Sequence, residues 1–187
     1  MTKMISSLDA LSQKIRECRL CEAHLPLRPK PLFRVNENAK LLIVGQAPNS
    51  MSHGNGELWS DASGMRLREW LSMDKNTFNQ HADIATVPMG FCYPGRGIAG
   101  DLPPRPECAS TWHPQLFPLL TEVKLVLLVG HYAHAYFLQE QRKKSLTETV
   151  QAYTEYAPRY FPLPHPSPGN TMWFQQNPWF ELNVVPD

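Results

Sequence analysis

Two short apolar runs that end in glycine, Leu41-Leu42-Ile43-Val44-Gly45 and Leu125-Val126-Leu127-Leu128-Val129-Gly130, constrain this chain more than any other feature. Runs of this length without polar alternation fit strands buried on both faces, the pattern of a parallel sheet. Ile84 to Val87 reads as a further strand. Helical patterns separate them. Leu8, Leu11, Ile15 and Cys18 predict a helix over 8–21, and Met65, Leu67, Trp70 and Leu71 predict another, capped by Asp61 or Ser63. Trp112 to Leu120, Ala133 to Glu140 and Leu146 to Tyr156 complete the helices. Strand and helix in alternation predict a doubly wound α/β sheet with parallel central strands. Ligands of such sheets bind at the carboxyl ends of the strands, here where the loops after Gly45, Val87 and Gly130 converge.

The 187 residues suffice for one domain with a sizeable core, and no repeat or internal boundary interrupts residues 1–187. The 18 prolines, about twice the average share, cluster at 26–31, 88–118 and 158–168 and predict long ordered loops. The stretch from Pro88 to Pro106 holds Gly90, Gly95, Gly97 and Gly100. Structureless loops beyond about 12–15 residues are usually functional. No apolar run reaches the roughly 18 residues that span a membrane, and Met1 to Ala10 lacks the apolar core of a secretory signal. A cytoplasmic protein with no membrane partner is expected. The net charge of +1 excludes a global basic field but not a local phosphate-gripping patch. Arg16, Arg19, Arg28, Lys30 and Arg34 could form one, and Arg142, Lys143 and Lys144 another; a solvated surface is the alternative for each.

Two further patterns carry chemistry. Cys18 and Cys21 form a C-x2-C pair, and Cys92 and Cys108 stand 15 residues apart. In a cytoplasmic chain this favours a metal site over disulfides, with zinc and an iron–sulfur cluster equally open. The second pattern is His165-Pro166-Ser167-Pro168-Gly169-Asn170. Proline restricts both its own φ and the residue before it, so His165 is rigidly aimed.

Four blocks, in order, resemble the iron–sulfur uracil-DNA glycosylases across nearly the whole chain. They are Cys18-Arg19-Leu20-Cys21; Leu42 to Asn49, continuing through Gly56-Glu57-Leu58-Trp59 to Ser63-Gly64; Cys92-Tyr93-Pro94-Gly95 to Pro106-Glu107-Cys108; and His165 to Pro168. The resemblance implies a three-layer α/β sandwich around a mainly parallel four-stranded sheet. It implies a 4Fe–4S cluster on Cys18, Cys21, Cys92 and Cys108, structural rather than catalytic, with zinc as the alternative. It implies a monomer that acts on DNA carrying a damaged or deaminated base, removing uracil or a related base by hydrolysis of the N-glycosidic bond. The base must leave the helix to reach such a site. His165 is then expected to donate to the base O2 as a neutral imidazole, stabilising the departing anion. The turn at Gly45, Gln46, Ala47, Pro48 and Asn49 offers further contacts, Trp59 would stack on the base, and Met89 stands beside it. The loop Ser167 to Asn170 would press into the minor groove, with Met172 or Trp173 as a wedge.

The chain departs from that family pattern in three places. Gln46 stands where Glu is usual and cannot take a proton from water, which leaves Asp61, Glu57 or His53 to act, Asp61 being favoured. Thr86 to Phe91 holds no amide where the family places an Asn to read uracil, so another base becomes plausible. The chain stops at Val184-Val185-Pro186-Asp187, where family members commonly carry a further helix. A glycosylase-like protein that binds DNA or a nucleotide with little catalysis is the alternative. A small hydrolase using His165 is disfavoured, since no Gly-x-Ser-x-Gly elbow or Walker loop is present.

Overall fold

The computed structural model describes residues 6–98 and 100–186. The expectation for Met1 to Ala10 therefore falls partly outside the described residues. In chain order the elements are α1 (Ser7–Arg16), β1 (Leu41–Val44), α2 (Ser50–Asn55), α3 (Ala62–Trp70), α4 (Lys75–Gln80), β2 (Ile84–Thr86), β3 (Arg96–Gly97), β4 (Gly100–Asp101), α5 (Pro106–Leu116), β5 (Leu125–Val129), α6 (His131–Leu138), α7 (Leu146–Gln151), β6 (Tyr160–Leu163) and α8 (Thr171–Gln176).

The central sheet has the order β2-β1-β5-β6, and every neighbouring pair is parallel. Successive side chains of a strand point to opposite faces. Leu42 and Val44 of β1 and Val126 and Leu128 of β5 pack into one buried cluster with Leu8, Ile15 and Leu116. Ile43, Leu127 and Val129 pack into a second with Leu67, Phe78 and Phe180. The two clusters lie on opposite faces of the sheet, so both faces of the central strands are covered. This is why those strands read as unbroken apolar runs.

Several expected boundaries shift. The first helix stops at Arg16 instead of running to Cys21. The helix expected from Trp112 begins at Pro106, which occupies its first turn, where a missing N–H costs nothing. The long loop 88–106 is not structureless: β3 and β4 pair as a short antiparallel ribbon within it, Arg96 opposite Asp101. β6 contains Pro162. It forms one edge of the sheet, where a proline's missing donor is tolerated. After the His165 loop the chain continues through α8 and a π-helical stretch, Phe180–Val184, which buries Phe180 and Val184. Among the described residues no helix is long and apolar enough to cross a membrane.

Candidate active site and cysteine pocket

The two central strands, β1 and β5, are followed by Gly45 and Gly130, and the edge strand β6 runs into the His165 loop. Gly130 has φ +86°, and a Cβ there would sit 3.3 Å from the His165 Cβ. A glycine at this point lets the His165 loop close over the end of β5. The Asn170 Nδ2 donates to the His165 backbone oxygen at 2.8 Å and ties the loop to itself. Beside it, the Gly90 N–H donates to the Gln46 oxygen at 3.0 Å and the Met89 N–H to the Gly45 oxygen at 2.9 Å. The turn after β1 is thereby pinned to the continuation of β2.

Trp59 joins the two halves. Its ring centroid lies 5.9 Å from that of His165, the planes tilted by 33°. A Cβ on Gly45 would sit 2.7 Å from the Trp59 Cζ2, so the indole lies against bare backbone at the end of β1. The backbone of Trp59 takes φ +58°, which disfavours a bulky residue. Two contacts hold it there. The Arg68 Nη1 donates to the Trp59 oxygen at 2.7 Å. Gly64, in the first turn of α3, packs so closely that a Cβ would lie 1.7 Å from the same oxygen. The obstacle is backbone and cannot rotate away. Gly64→Ala is therefore expected to destabilise the fold by about 3 kcal/mol, the upper range for overpacking, measured by urea unfolding, and to displace Trp59.

Asp61 is the N-cap of α3. Its Oδ1 accepts from the Gly64 N–H at 3.1 Å, and its Oδ2 accepts from the Asn49 Nδ2 at 2.8 Å. Asn49 in turn caps α2 through its Oδ1, which accepts from the Ser52 N–H at 2.8 Å. One carboxylate thus staples two helix starts beside the turn after β1. It remains close enough to act on His165: burial lowers the imidazole's pKa, and the Asp61 charge raises it in part. Both oxygens of Asp61 are engaged, so it suits an electrostatic role better than proton abstraction.

The sequence candidates divide accordingly. His165, Trp59 and Asp61 come together, with Gly45, Gln46, Ala47 and Asn49 on the adjoining turn. Pro48 is buried beneath that turn. Met89 is in the neighbouring strand continuation, but its side chain is 6% exposed and belongs to the core. Ser167 is half-buried, and its backbone oxygen accepts from the Asn170 N–H at 3.0 Å. Glu57 pairs with Lys75 at 2.9 Å and also accepts from Asn79, so it is occupied away from His165. The His53 carbonyl accepts from the Lys30 Nζ at 2.6 Å. Met172 is 70% exposed and Trp173 is packed, its Nε1 donating to the Thr147 Oγ1 at 2.9 Å. Sequence reasoning missed Arg68 and Asp101, and it placed Gly130 only as a strand end, not behind His165. Burial raises the Asp101 pKa, Arg96 opposes this, and the Asp61 charge adds to it. The β3–β4 ribbon therefore brings a second carboxyl toward Asp61, a proximity without a local sequence signal.

The four cysteines line one pocket, together with Leu25, Pro31 and Trp112. All four are free thiols. The Phe91 N–H donates to the Cys108 Sγ at 3.3 Å, the kind of bond that steadies a sulfur ligand. Burial pushes the Cys92 thiol up to about 11 and Cys108 up to about 12. Metal capture must therefore release protons. Among the described residues no group of three or more His, Cys, Asp or Glu side chains converges on one point that could hold a single ion.

The parallel sheet thus gathers His165, the Trp59 indole and the Asp61 carboxylate at its carboxyl ends, where α/β sheets of this kind bind their ligands. The family model of the uracil DNA glycosylase superfamily matches residues 33–187. The chain belongs to that superfamily. The match includes the turn after β1, the α3 cap, Cys92, Cys108 and the His165 loop, and begins after Cys18 and Cys21.

Proposed function

We propose that the protein is a monofunctional DNA glycosylase that hydrolyses the N-glycosidic bond of a deaminated base, uracil or a relative. The observation that carries this reading is the contact of His165 with Trp59 above Gly45, beside the Asp61 carboxylate. Cleavage leaves an anionic base and a cationic sugar. A neutral His165 donates to the base oxygen where negative charge collects. Asp61 supplies fixed negative charge for the oxocarbenium-like sugar, and Trp59 offers an aromatic face to the extruded base. Gln46 orients water without accepting its proton.

The choice of base is open to a relative of uracil. The Asn49 amide is spent on Asp61 and on the α2 cap. Thr86 to Phe91 offers no side-chain amide, and Met89 faces the core. A base-release assay on oligonucleotides carrying uracil, hypoxanthine or xanthine decides. Release of one base, leaving an abasic site, is the expected outcome. Binding of DNA without release of any base would favour the reading as a DNA-binding relative with little catalysis, which the Gln46 substitution supports.

For the cysteine pocket we infer a structural 4Fe–4S cluster on Cys18, Cys21, Cys92 and Cys108. A zinc ion needs its sulfurs about 2.3 Å from a single point, whereas a cluster spreads its thiolates over separate irons. Four free thiols line one shared pocket, a donor set that serves either group, and the order of the four blocks that resemble the iron–sulfur glycosylases favours the cluster. The cluster would tie the segment after α1 to the loop bearing β3 and β4. Protein purified without oxygen is expected to be brown, with iron and sulfide bound in equal amounts. Cys92→Ser should bleach it and lower its Tm. A colourless protein with one zinc per chain would overturn the cluster.

A further inference from the structure

A second cleft lies on the outer side of β2, between the end of α1 and the loop Gly56–Leu58. It encloses about 760 Å3, counting its open mouth. Arg34 and Arg16 both line it. The backbone of Arg34 is fixed, because its N–H donates to the Thr86 oxygen at 2.8 Å and the Thr86 N–H donates back at 2.7 Å. Its Nη1 donates to the Asn79 oxygen at 2.6 Å, and the guanidinium lies over the Phe78 ring at 5.2 Å. Its Nε and Nη2 are buried and make no hydrogen bond among the described residues, and the same holds for the Thr86 Oγ1.

Charge on the cleft is unbalanced. Arg16 stands over Phe33 at 4.9 Å and has no carboxylate partner among the described residues. Glu57 is the one acid among the lining residues, and it is taken by Lys75 and Asn79. Arg16, exposed, and Arg34, with its free donors buried, thus line a cavity whose single carboxylate is already neutralised. A buried donor left unpaired costs about 1–3 kcal/mol, and more when it is charged. Arg34 places two such donors on one planar fork, the shape that matches an oxyanion bidentately.

We propose that this cleft is a phosphate-binding site, held by Arg34 and Arg16 with the Thr86 hydroxyl. The two donors of Arg34 are buried at the cleft wall, so their use by a phosphate requires the guanidinium to turn, at the cost of the Asn79 bond and the Phe78 contact. The phosphate belongs either to the DNA backbone or to a small phosphorylated molecule. The proposal stands on the cleft alone and survives even if no base is released.

The test is calorimetric titration of the full chain with inorganic phosphate at constant ionic strength. The wild type should bind, and Arg34→Gln and Arg16→Gln should each weaken binding at least tenfold. Lys124→Gln, at an exposed lysine that lines neither this cleft nor the 142–144 run, should leave it unchanged. Arg16 sits at an exposed helix end, so that variant reports even if Arg34→Gln fails to fold. A second arm titrates undamaged single-stranded DNA across a salt series. A backbone phosphate predicts that Arg16→Gln lowers the salt slope by about one contact and that phosphate competes with DNA. Loss of phosphate binding with DNA affinity intact would assign the site to a small phosphorylated ligand. No phosphate binding by the wild type, or binding by both arginine variants as tight as that of the wild type, would overturn the site.

Discussion

Between pH 6.5 and pH 4 the protein is expected to lose about 6 kcal/mol of stability through two histidines that do not belong to the active site. His113 and His134 are 0% and 2% exposed. The His113 Nε2 bonds the Pro88 oxygen at 3.1 Å and the His134 Nε2 bonds the Leu128 oxygen at 2.9 Å. Either ring can make that bond while neutral, with its Nε2 carrying the proton. Burial pushes both imidazoles down to about 4, against a partial upward pull from the carbonyls. An unfolded histidine titrates near 6.5. Below that pH the unfolded chain binds protons that the folded chain refuses, so stability falls as pH falls. The loss begins near 6.5 and is complete near 4, where the folded rings also charge. Each ring contributes about 3 kcal/mol over that window, at 1.36 kcal/mol per pKa unit. A domain of ordinary stability, about 5–15 kcal/mol, has little margin for both. Urea unfolding at a series of pH values measures the slope. His113→Phe should remove about half of it, whatever that variant does to stability at neutral pH. An unchanged slope would mean that His113 charges in the folded state.

How much of this was legible in the sequence depends on what each residue answers to. Leu41 to Val44 and Leu125 to Val129 announce themselves because both faces of a central strand are buried, leaving no polar residue to interrupt the run. Tyr160 to Leu163 does not, because at a sheet edge Pro162 is tolerated and the segment reads as part of a proline loop. α2 and α4 are six residues each, too short to show a period, although both carry a cap, Asn49 and Asp74. At the site, Asp61 was legible as a cap of α3, one of two candidates with Ser63, and it also stood as the favoured acid in place of Gln46. Its nearness to His165 had no signal in the sequence. What the sequence could not show is apposition across the fold: Gly64 beneath the Trp59 carbonyl, Gly130 behind His165, and Asp101 brought toward Asp61 by a ribbon of four paired residues.

His165→Ala should slow base release by about 10²–10³-fold, the cost of removing one donor from a developing oxyanion, about 2.7–4 kcal/mol. The substitution tests catalysis rather than folding. The hydrogen bond that closes the loop runs from Asn170 to the backbone oxygen of residue 165 and survives the change. Stability should therefore move far less than the rate. The pH dependence adds a second constraint. Burial lowers the pKa of His165, so the ring is neutral at and above its ordinary titration range, and the rate should be flat from about pH 6.5 to 8. A general acid would instead lose activity as the pH rises through that range. Asp61→Asn keeps the α3 cap but removes the negative charge and, by turning an amide nitrogen toward the Asn49 Nδ2, the bond between the two side chains. Asn49→Ser keeps the α2 cap and breaks the same bond with the Asp61 charge intact, and is the control. If Asp61 stabilises the cationic sugar, the rate falls further in Asp61→Asn than in Asn49→Ser for a similar fall in Tm. If the carboxylate only staples α2 to α3, the two variants lose rate and stability alike, and the electrostatic assignment fails while that of His165 stands.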